Sequence, residues 1–400
     1  MKGNLLVGQS GGPTAVINSS LAGVVDAAQS APRIERVLGM RYGIEGFMEE
    51  RIVDLTNLSD RERTLLGKTP GSALGSCRYK LADEELPRVK ELLEEHEVRY
   101  LVYIGGNDTM DTIHRVVAYC RETGYELKGV GIPKTVDNDL FGTDHAPGYP
   151  SAARYVALTA QQAGRLASDM RRVDRFAVLQ TVGRDAGWLA ASAALARKEP
   201  GDPPHLIYLP ERPITREQLL SDVRSAIEEH GWVYIVVGEG VLWEDGTPVS
   251  DSESTDRFSN IEFGAMGGAS AAANIHRIIH QETGYRGEFQ IPESMVMAGA
   301  DRVVELDRRE AFGAGQDGVN RAVSGEEGVM VTIERTGGGA YSTSFGAIPL
   351  EKVANQTKRM PEEMVLNGFV SPVFLDYAAP LVGELPEYAT LEDLEQQAGG

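Results

Sequence analysis

Short apolar runs alternate with longer amphipathic segments along most of the chain. Continuous apolar runs are typical of strands buried on both faces, whereas apolar side chains at helical spacing predict helices. The predicted strands cover residues 5–8, 36–39, 100–104, 127–132, 176–182, 205–209, 232–237, 327–333 and 342–348. The predicted helices cover residues 15–29, 84–94, 110–123, 151–170, 187–196, 215–230 and 264–279. This alternation predicts an α/β fold of mainly parallel sheets flanked by helices.

The length and charge of the chain narrow the range of functions. Its 400 residues exceed what one hydrophobic core usually supports, so we expect two lobes with a cleft between them. A net charge of −20 argues against nucleic acid as a partner, because phosphate backbones require clustered positive charge. No apolar run has the length of a membrane span, and the 2 cysteines lack the spacing of a disulfide framework or a metal site. A cytoplasmic protein without a membrane partner is expected.

Two polar loops follow neighbouring predicted strands. Residues 105–109 (Gly-Gly-Asn-Asp-Thr) follow strand 100–104, and residues 133–139 (Pro-Lys-Thr-Val-Asp-Asn-Asp) follow strand 127–132. In open α/β sheets, ligands bind at the carboxyl ends of the strands. Glycine lets a phosphate approach the backbone, and the two loops bring carboxylates and a lysine to the same edge. The combination predicts phosphoryl transfer.

A third candidate phosphate loop lies near the N-terminus. Gly11 and Gly12 follow strand 5–8 and precede helix 15–29, which would place bare backbone amides at a helix N-terminus. Such a terminus favours anions through its unpaired N–H groups and its dipole. A Gly-Gly pair also fits an ordinary tight turn. The phosphate-loop interpretation is favoured because the other two loops reach the same sheet edge. The segment is neither a Walker A loop nor a Gly-x-Gly-x-x-Gly fingerprint.

Asp137, Asn138 and Asp139 supply a candidate general base with supporting groups. A hydroxyl acceptor needs a group that takes its proton, and the donor phosphates need cations. Asp and Asn also occur in turns without any catalytic role, because their side chains cap backbone groups. Their position directly after a buried strand and beside Lys134 favours the catalytic interpretation.

Several segments of the chain resemble, in order and spacing, the motifs of the phosphofructokinase family. They are residues 10–12, 75–78, 105–109, 133–144, 148–152, 182–190 and 238–240. The resemblance implies a phosphofructokinase-like fold of two lobes with the active site in the cleft between them. It further implies a phosphoryl-donor lobe of residues 1–148 plus roughly 300–335, a sugar-phosphate lobe of residues 149–299, and a C-terminal extension at 336–400 that ends in a flexible tail.

Within this family the phosphoryl donor is either ATP or inorganic pyrophosphate. Members that use ATP carry glycine at the positions of Asp108 and Lys134, so this pair resembles the pyrophosphate-dependent branch. A carboxylate at position 108 would occupy and repel the α-phosphate of a nucleotide. Two unit charges ~4 Å apart interact by roughly 4 kcal/mol at an effective dielectric constant of ~20, which is enough to favour the smaller donor. Lys134 would then neutralise charge on the pyrophosphate.

The resemblance also implies a role for each matching residue of the two loops. Asp137 would be the base that takes the proton from the sugar hydroxyl at C1, with Thr135 and Asp139 positioning the reacting groups. Asp108 would share Mg2+ with the pyrophosphate, since hard cations prefer carboxylate and phosphate oxygen. Further catalytic or substrate contacts are implied for Gly11, Gly12, Arg78, Lys134, Val136, Val182, Gly183, Arg184 and Glu239.

Charged residues outside the two loops complete the implied site. Arg184 would bridge donor and acceptor, Glu239 would bind a sugar hydroxyl, and Arg78 would contact the donor phosphates together with Gly12. Arg175 matches a family arginine that reaches the sugar phosphate of a neighbouring subunit. The resemblance therefore implies a homodimer or a homotetramer.

Two segments depart from the family pattern. Asn107 occupies a position where many relatives carry a metal-binding aspartate, which leaves Asp108 as the expected metal ligand. A Gln-Arg-Gly-Gly segment that often holds the sugar 6-phosphate is absent, and residues 291–302 take its place. Arg302 and Arg286 are the expected phosphate ligands there. Sedoheptulose 7-phosphate is a second candidate acceptor beside fructose 6-phosphate.

The leading hypothesis is reversible phosphoryl transfer from pyrophosphate to fructose 6-phosphate, giving fructose 1,6-bisphosphate and phosphate. Two alternatives stay open at this point. One is an ATP-dependent phosphofructokinase or a kinase of the lipid and NAD type, and the other is a non-catalytic subunit that binds a sugar phosphate. Asp108 and segment 137–139 count against the first alternative. Intact Lys134, Asp137, Asp139 and Arg184 count against the second.

Overall fold

The computed structural model describes residues 1–251, 269–337, 340–354 and 356–389. The predicted flexible tail beyond residue 389 and residues 264–268 of predicted helix 264–279 lie outside these ranges. Within them, no helix is both long enough and apolar enough to cross a membrane.

Strands and helices alternate through most of the described chain. The strands are β1 (Gly3–Gln9), β2 (Ile34–Met40), β3 (Ile52–Asp54), β4 (Val98–Gly105), β5 (Lys128–Pro133), β6 (Phe176–Thr181), β7 (Leu206–Tyr208), β8 (Val233–Gly238), β9 (Gly287–Gln290), β10 (Val329–Arg335), β11 (Thr343–Pro349), β12 (Val365–Leu366) and β13 (Phe369–Val370). The helices are α1 (Ile17–Gln29), α2 (Gly43–Met48), α3 (Asp60–Lys68), α4 (Leu86–Glu95), α5 (Asn107–Glu122), α6 (Tyr149–Met170), α7 (Trp188–Ser192), α8 (Arg216–His230), α9 (Ala271–Thr283), α10 (Ser294–Ala298), α11 (Glu305–Ser324) and α12 (Pro372–Val382).

The larger sheet has seven strands within the described residues, in the order β11-β10-β5-β4-β1-β2-β3. Its five inner strands pair in parallel, and the antiparallel strands β3 and β11 form its two edges. Every residue of β1 is buried, as expected for a central strand covered by helices on both faces. The carboxyl ends of β1, β4 and β5 therefore meet at one edge of this sheet.

The smaller sheet consists of four parallel strands within the described residues, in the order β7-β8-β6-β9. One of its faces packs against α6, α7 and α12, and the other packs against α8 and α9. The two sheets confirm the predicted α/β fold of mainly parallel strands flanked by helices. Strand β11 lies in the predicted C-terminal extension but belongs to the larger sheet, so the lobe boundary at residue 336 would divide the hairpin β10–β11. The assignment of a function to each lobe stays a prediction.

Helix α11 was not predicted from the sequence, because its glycines weaken the helical pattern. The same glycines let α11 pack closely against α1. A Cβ atom at Gly315 would overlap the carbonyl oxygen of Ser20, and a Cβ atom at Gly23 of α1 would overlap the carbonyl oxygen of Phe312. Tertiary packing therefore overrides the poor helix propensity of glycine at this crossing.

We expect Gly315→Ala to lower the free energy of unfolding by about 1–3 kcal/mol, because the added methyl group would overpack the α1–α11 contact. Gly67→Ala in α3 is the matched control. The nearest neighbours of its added methyl group lie 3.7 Å away or further, and alanine favours the helix by up to about 1 kcal/mol. Chemical denaturation followed by circular dichroism measures both free energies. Equal stability of the two variants would contradict the close helix contact.

Candidate active site

The loop that follows β5 (the β5 loop, residues 134–139) holds two carboxylates close together. The Thr135 hydroxyl donates a hydrogen bond to Asp139 Oδ1 (2.9 Å) and accepts one from the backbone N–H of Asp137 (3.1 Å). Between the two carboxylates, Asn138 has a φ of +55°, a left-handed conformation that asparagine tolerates better than most residues. This turn fixes the positions of Asp137 and Asp139 at the end of β5.

The Asp137 carboxyl group lies in a buried and acidic environment. Among the described residues, none forms a hydrogen bond with its Oδ1 atom. Burial and the negative charges of Asp139 and Glu239 raise its pKa, whereas Arg184 and Lys134 act in the opposite direction. A carboxylate with a raised pKa is a stronger proton acceptor, so Asp137 has the properties of a general base.

Lys134 is the buried cation of the same loop. Its ammonium group donates a hydrogen bond to the carbonyl oxygen of Gly12 (2.8 Å), which joins the β5 loop to the loop after β1. Burial lowers the pKa of Lys134 to about 8, and the carboxylates of Asp139 and Asp137 partly offset this effect. Because only 4 % of the residue is exposed, water screens its charge weakly, and the charge would attract a bound anion strongly.

The loop after β1 packs against the segment that contains Cys77 and Arg78. The backbone N–H of Gly11 donates a hydrogen bond to the Cys77 carbonyl oxygen (3.2 Å), and Gly11 has a φ of +77° that favours glycine. Arg78 is exposed, and its positive charge lowers the pKa of both Lys134 and Glu239. The predicted donor-phosphate contacts therefore lie near the Lys134 ammonium and near the loops of the smaller sheet.

The expectation that Gly11 and Gly12 lie at a helix N-terminus is wrong. Helix α1 begins at Ile17, several residues after the two glycines. The Thr14 side-chain oxygen accepts a hydrogen bond from the backbone N–H of Val16 (3.2 Å), and such local bonds compete with a helical turn. The two glycines therefore lie in an open loop between β1 and α1.

The loop after β4 continues directly into α5. This helix begins at Asn107, earlier than the predicted residue 110, so the exposed Asp108 lies in its first turn. The Asn107 side-chain N–H donates a hydrogen bond to Asp139 Oδ2 (3.2 Å), which connects this helix start to the β5 loop. Asn107 thus contacts a buried carboxylate, whereas a second aspartate at position 107 would repel it.

The smaller sheet contributes the residues that follow β6 and β8. The backbone N–H of Gly183 donates a hydrogen bond to Glu239 Oε1 (3.1 Å), and a Cβ atom at Gly183 would lie 3.9 Å from Asp137 Oδ1. Burial raises the pKa of Glu239 to about 7, although the Gly183 N–H and the charge of Arg184 oppose the shift. The carboxyl ends of the two sheets therefore meet around Asp137.

The two predicted valines of the site belong to the hydrophobic core. Val136 is buried, Val182 is partly buried, and both pack in the cluster between the smaller sheet and α6. Their side chains support the loops after β5 and β6.

Arg175 and Arg286 lie away from this cluster. Arg175 directly precedes β6 and Arg286 directly precedes β9, so both are at the amino edge of the smaller sheet, opposite to Glu239. The backbone N–H of Arg175 donates to the Arg286 carbonyl oxygen (2.8 Å), and the exposed Arg286 side chain pairs with Asp174 (3.4 Å). Within one chain these two arginines do not join the residues around Asp137.

Arg302 also has its contacts elsewhere. Its guanidinium donates a hydrogen bond to Thr159 Oγ1 (3.0 Å) and stacks on the Tyr155 ring of α6 at 4.4 Å. From the same segment of the chain, the structure instead brings Met297 near the β1 loop. A Cβ atom at Gly12 would lie 3.6 Å from the Met297 sulfur.

The acidic residues suit a metal ion that arrives with a phosphate ligand. The described residues contain no group of three or more His, Cys, Asp or Glu side chains that could hold a metal ion. In phosphoryl-transfer sites, Mg2+ usually takes one or two carboxylates besides waters and substrate phosphates. The exposed carboxylate of Asp108 and the neighbouring amide oxygen of Asn107, which has no hydrogen-bond partner among the described residues, fit such a partial set.

The C-terminal part of the chain supplies contacts that the sequence analysis missed. The Lys358 ammonium donates a hydrogen bond to Asn138 Oδ1 (3.2 Å), and the Asn138 side-chain N–H donates one to the Tyr377 hydroxyl (2.9 Å). Lys358 lies in a polar stretch that has the appearance of a surface loop, and no motif connects it to the β5 loop. No signal in the sequence could have identified these contacts.

Comparison with known proteins decides the family. The sequence model described as "PFK: Phosphofructokinase" matches residues 4–318. The chain belongs to the phosphofructokinase family. The resemblance drawn from the loop motifs is confirmed.

Close relatives extend over nearly the whole chain. A pyrophosphate–fructose 6-phosphate 1-phosphotransferase of Xanthomonas campestris pv. campestris is 37% identical over 98% of this chain and 97% of its own length. An enzyme of the same name from Halomonas elongata is 36% identical over 95% of this chain and 91% of its own length. The crystal structure of a pyrophosphate-dependent phosphofructokinase from Marinobacter aquaeolei is similar with a TM-score of 0.86 at 33% identity, covering 97% of this chain and 94% of that one.

We expect the Asp137 carboxyl group to titrate well above the ordinary aspartate pKa of about 3.9. Asp139→Asn removes a neighbouring negative charge, which favours the ionised form of Asp137 and so lowers its pKa. Carbon-detected NMR titration of the side-chain carboxyl groups measures the pKa of Asp137 in the unmodified chain and in Asp139→Asn. The Asp137 resonance is assigned by its loss in Asp137→Asn. Asp169→Asn, at an exposed position near the end of α6, is the matched control. An Asp137 pKa that does not respond to Asp139→Asn would contradict the described coupling.

Proposed function

We propose that this chain transfers a phosphoryl group reversibly from inorganic pyrophosphate to the C1 hydroxyl of fructose 6-phosphate. The products are fructose 1,6-bisphosphate and phosphate. The observation that carries the proposal is the buried cluster of Lys134, Asp137 and Asp139, with the exposed Asp108 nearby at the start of α5. The names of the full-length relatives support the same donor and acceptor.

The proposed donor site lies between the loops after β1, β4 and β5. Lys134 and Arg78 would bind the pyrophosphate, because they provide positive charge beside the backbone of Gly11 and Gly12. Asp108 would repel the additional phosphate of a nucleotide at this position. This repulsion disfavours the alternative of an ATP-dependent enzyme.

The proposed acceptor site lies around Asp137. The C1 oxygen of the sugar bonds to one phosphorus atom of pyrophosphate as the bond between that phosphorus and the bridging oxygen breaks. The hydroxyl proton passes to the Asp137 carboxylate, and the other phosphate leaves. Arg184 would neutralise the charge that is shared between donor and acceptor, and Glu239 would accept a hydrogen bond from a sugar hydroxyl. A subunit that only bound sugar phosphate would have no need for such a base.

We further propose that Mg2+ accompanies the pyrophosphate. Asp108 would be its carboxylate ligand, with Asn107 Oδ1 as a second candidate oxygen. When bound, the ion would neutralise negative charge on the donor phosphates. The charges of Lys134 and Arg78 would act together with it on the same phosphates.

A second subunit would complete the binding site for the sugar 6-phosphate. Arg175 and Arg286 lie together at the edge of the smaller sheet opposite to Glu239, and we propose that they reach the site of a neighbouring chain. A homodimer or a homotetramer is therefore part of the proposal. Arg302 is a weaker candidate for this phosphate, because its guanidinium already binds α6. We also propose a cytoplasmic location, which the two free cysteines support.

The test is a steady-state assay of the purified chain with each donor and each acceptor. We expect turnover with pyrophosphate plus fructose 6-phosphate in the presence of Mg2+, and a loss of activity after chelation of the metal. Sedoheptulose 7-phosphate forms the second acceptor arm, and ATP forms the second donor arm. Robust turnover with ATP and none with pyrophosphate would overturn the proposal. Binding of fructose 6-phosphate by calorimetry without turnover with either donor would favour the non-catalytic alternative.

A further inference from the structure

A short segment of the C-terminal part, residues 357–360, connects the β5 loop to the smaller sheet. On one side, Thr357 forms an antiparallel bridge with Leu140, and the Lys358 backbone N–H donates a hydrogen bond to the Asp139 carbonyl oxygen (2.7 Å). On the other side, the Trp188 side-chain N–H donates a hydrogen bond to the Lys358 carbonyl oxygen (3.0 Å). This strap therefore contacts the catalytic loop of one sheet and α7, which follows β6 of the other.

The side chain of Lys358 reaches back to the turn that follows Asp137. Its ammonium group donates to Asn138 Oδ1 (3.2 Å), to the Thr143 carbonyl oxygen (3.1 Å) and to the Asp144 carbonyl oxygen (2.7 Å). A lysine has three N–H donors, so this geometry uses all of them. The same ammonium lies 5.1 Å from the centre of the Trp188 ring.

Both polar atoms of the Asn138 side-chain amide form hydrogen bonds within the protein. Its Oδ1 atom accepts hydrogen bonds from the Lys358 ammonium and from the backbone N–H of Ala146 (3.2 Å), and its Nδ2 atom donates to the Tyr377 hydroxyl (2.9 Å). The residue is fully buried and adopts a left-handed backbone conformation. Because Asn138 lies between Asp137 and Asp139, its conformation determines where both carboxylates point.

We propose that Lys358 is a positioning residue for the phosphoryl transfer, acting through Asn138 on the base Asp137. The inference rests on the proposed function, since it assigns to Lys358 a share in that reaction. Lys134 joins the β5 loop to the β1 loop on the donor side, and Lys358 contacts the turn at Asn138 from the strap. Without the Lys358 side chain, three oxygen atoms lose a hydrogen-bond donor, and the turn can relax. Misplacing a reacting group by about 1 Å can cost about 100-fold in rate.

The test compares Lys358→Met with Lys352→Met, the same substitution at an exposed lysine of the same part of the chain. We expect Lys358→Met to lower kcat by about 100-fold while the KM values for both substrates change less than about threefold. We expect Lys352→Met to leave both parameters unchanged. A purely structural role predicts a lower melting temperature with a normal kcat for each folded site, and that result would overturn the inference.

A double-mutant cycle shows whether Lys358 acts through the base. In an Asp137→Asn background, Lys358→Met should lower the residual rate by no more than about threefold, because the base that it positions is absent. A full additional loss of about 100-fold would overturn the inference. If Lys358→Met does not fold, Tyr377→Phe serves instead, since it removes the other side-chain contact of Asn138 and should also lower kcat more than it raises KM.

The two proposals fail in different ways. If the unmodified chain uses ATP and not pyrophosphate, the proposed donor is wrong, and the same cycle can be run with ATP. If the chain turns over neither donor, the NMR titration of the Asp137 carboxyl group tests Lys358 without activity. Lys358→Met should then shift that resonance and Lys352→Met should not. An unchanged Asp137 resonance would overturn the positioning role.

Discussion

Two carboxylates, Asp137 and Asp139, lie at the buried end of β5, where water screens their mutual repulsion poorly. Burial and the charge of Asp139 raise the pKa of Asp137, and burial and the charge of Asp185 raise the pKa of Asp139, so both carboxyl groups would lose their ionisation without compensating groups. The compensating groups are Thr135 and Lys134 of the same loop and Asn107 from the start of α5, and the Lys134 ammonium also binds Gly12 of the β1 loop. The contacts of this carboxylate cluster therefore connect the carboxyl ends of the neighbouring strands β1, β4 and β5.

The same arrangement defines what the site can bind. Lys134 and Arg78 provide positive charge near Gly12, whereas Asp108 adds a negative charge at the start of α5. Lys134 and Arg78 would attract a small anion that is short enough to stay away from Asp108. A longer polyphosphate would reach the negative charge of Asp108 and be repelled. Across the cleft, Glu239 and Arg184 act on the ionisation of Asp137 from the smaller sheet. In the proposed function, this charge pattern connects donor choice and proton transfer in one place.

The sequence predicts most of this fold, because buried parallel strands are continuous apolar runs and their polar loops follow directly. It also predicts the two carboxylates and the lysine of the β5 loop. It does not reveal α11, whose Gly315 has poor helix propensity but is needed where two helices cross. It does not reveal the role of Lys358 either. Lys358 and Asn138 are 220 positions apart, and no sequence motif indicates that they are in contact. Long-range packing and hydrogen bonding decide both features.

The central claim is that the charges at the ends of β4 and β5 select pyrophosphate over a nucleotide. The most direct measurement is the ratio of kcat/KM for ATP to kcat/KM for pyrophosphate in Asp108→Gly and in the unmodified chain. The account predicts that Asp108→Gly raises this ratio at least about tenfold, since relief of roughly 1.4 kcal/mol of repulsion is sufficient. Asp111→Gly, the same change one turn later in α5, should leave the ratio within about twofold. An unchanged ratio in an Asp108→Gly variant that still turns over pyrophosphate would contradict the account.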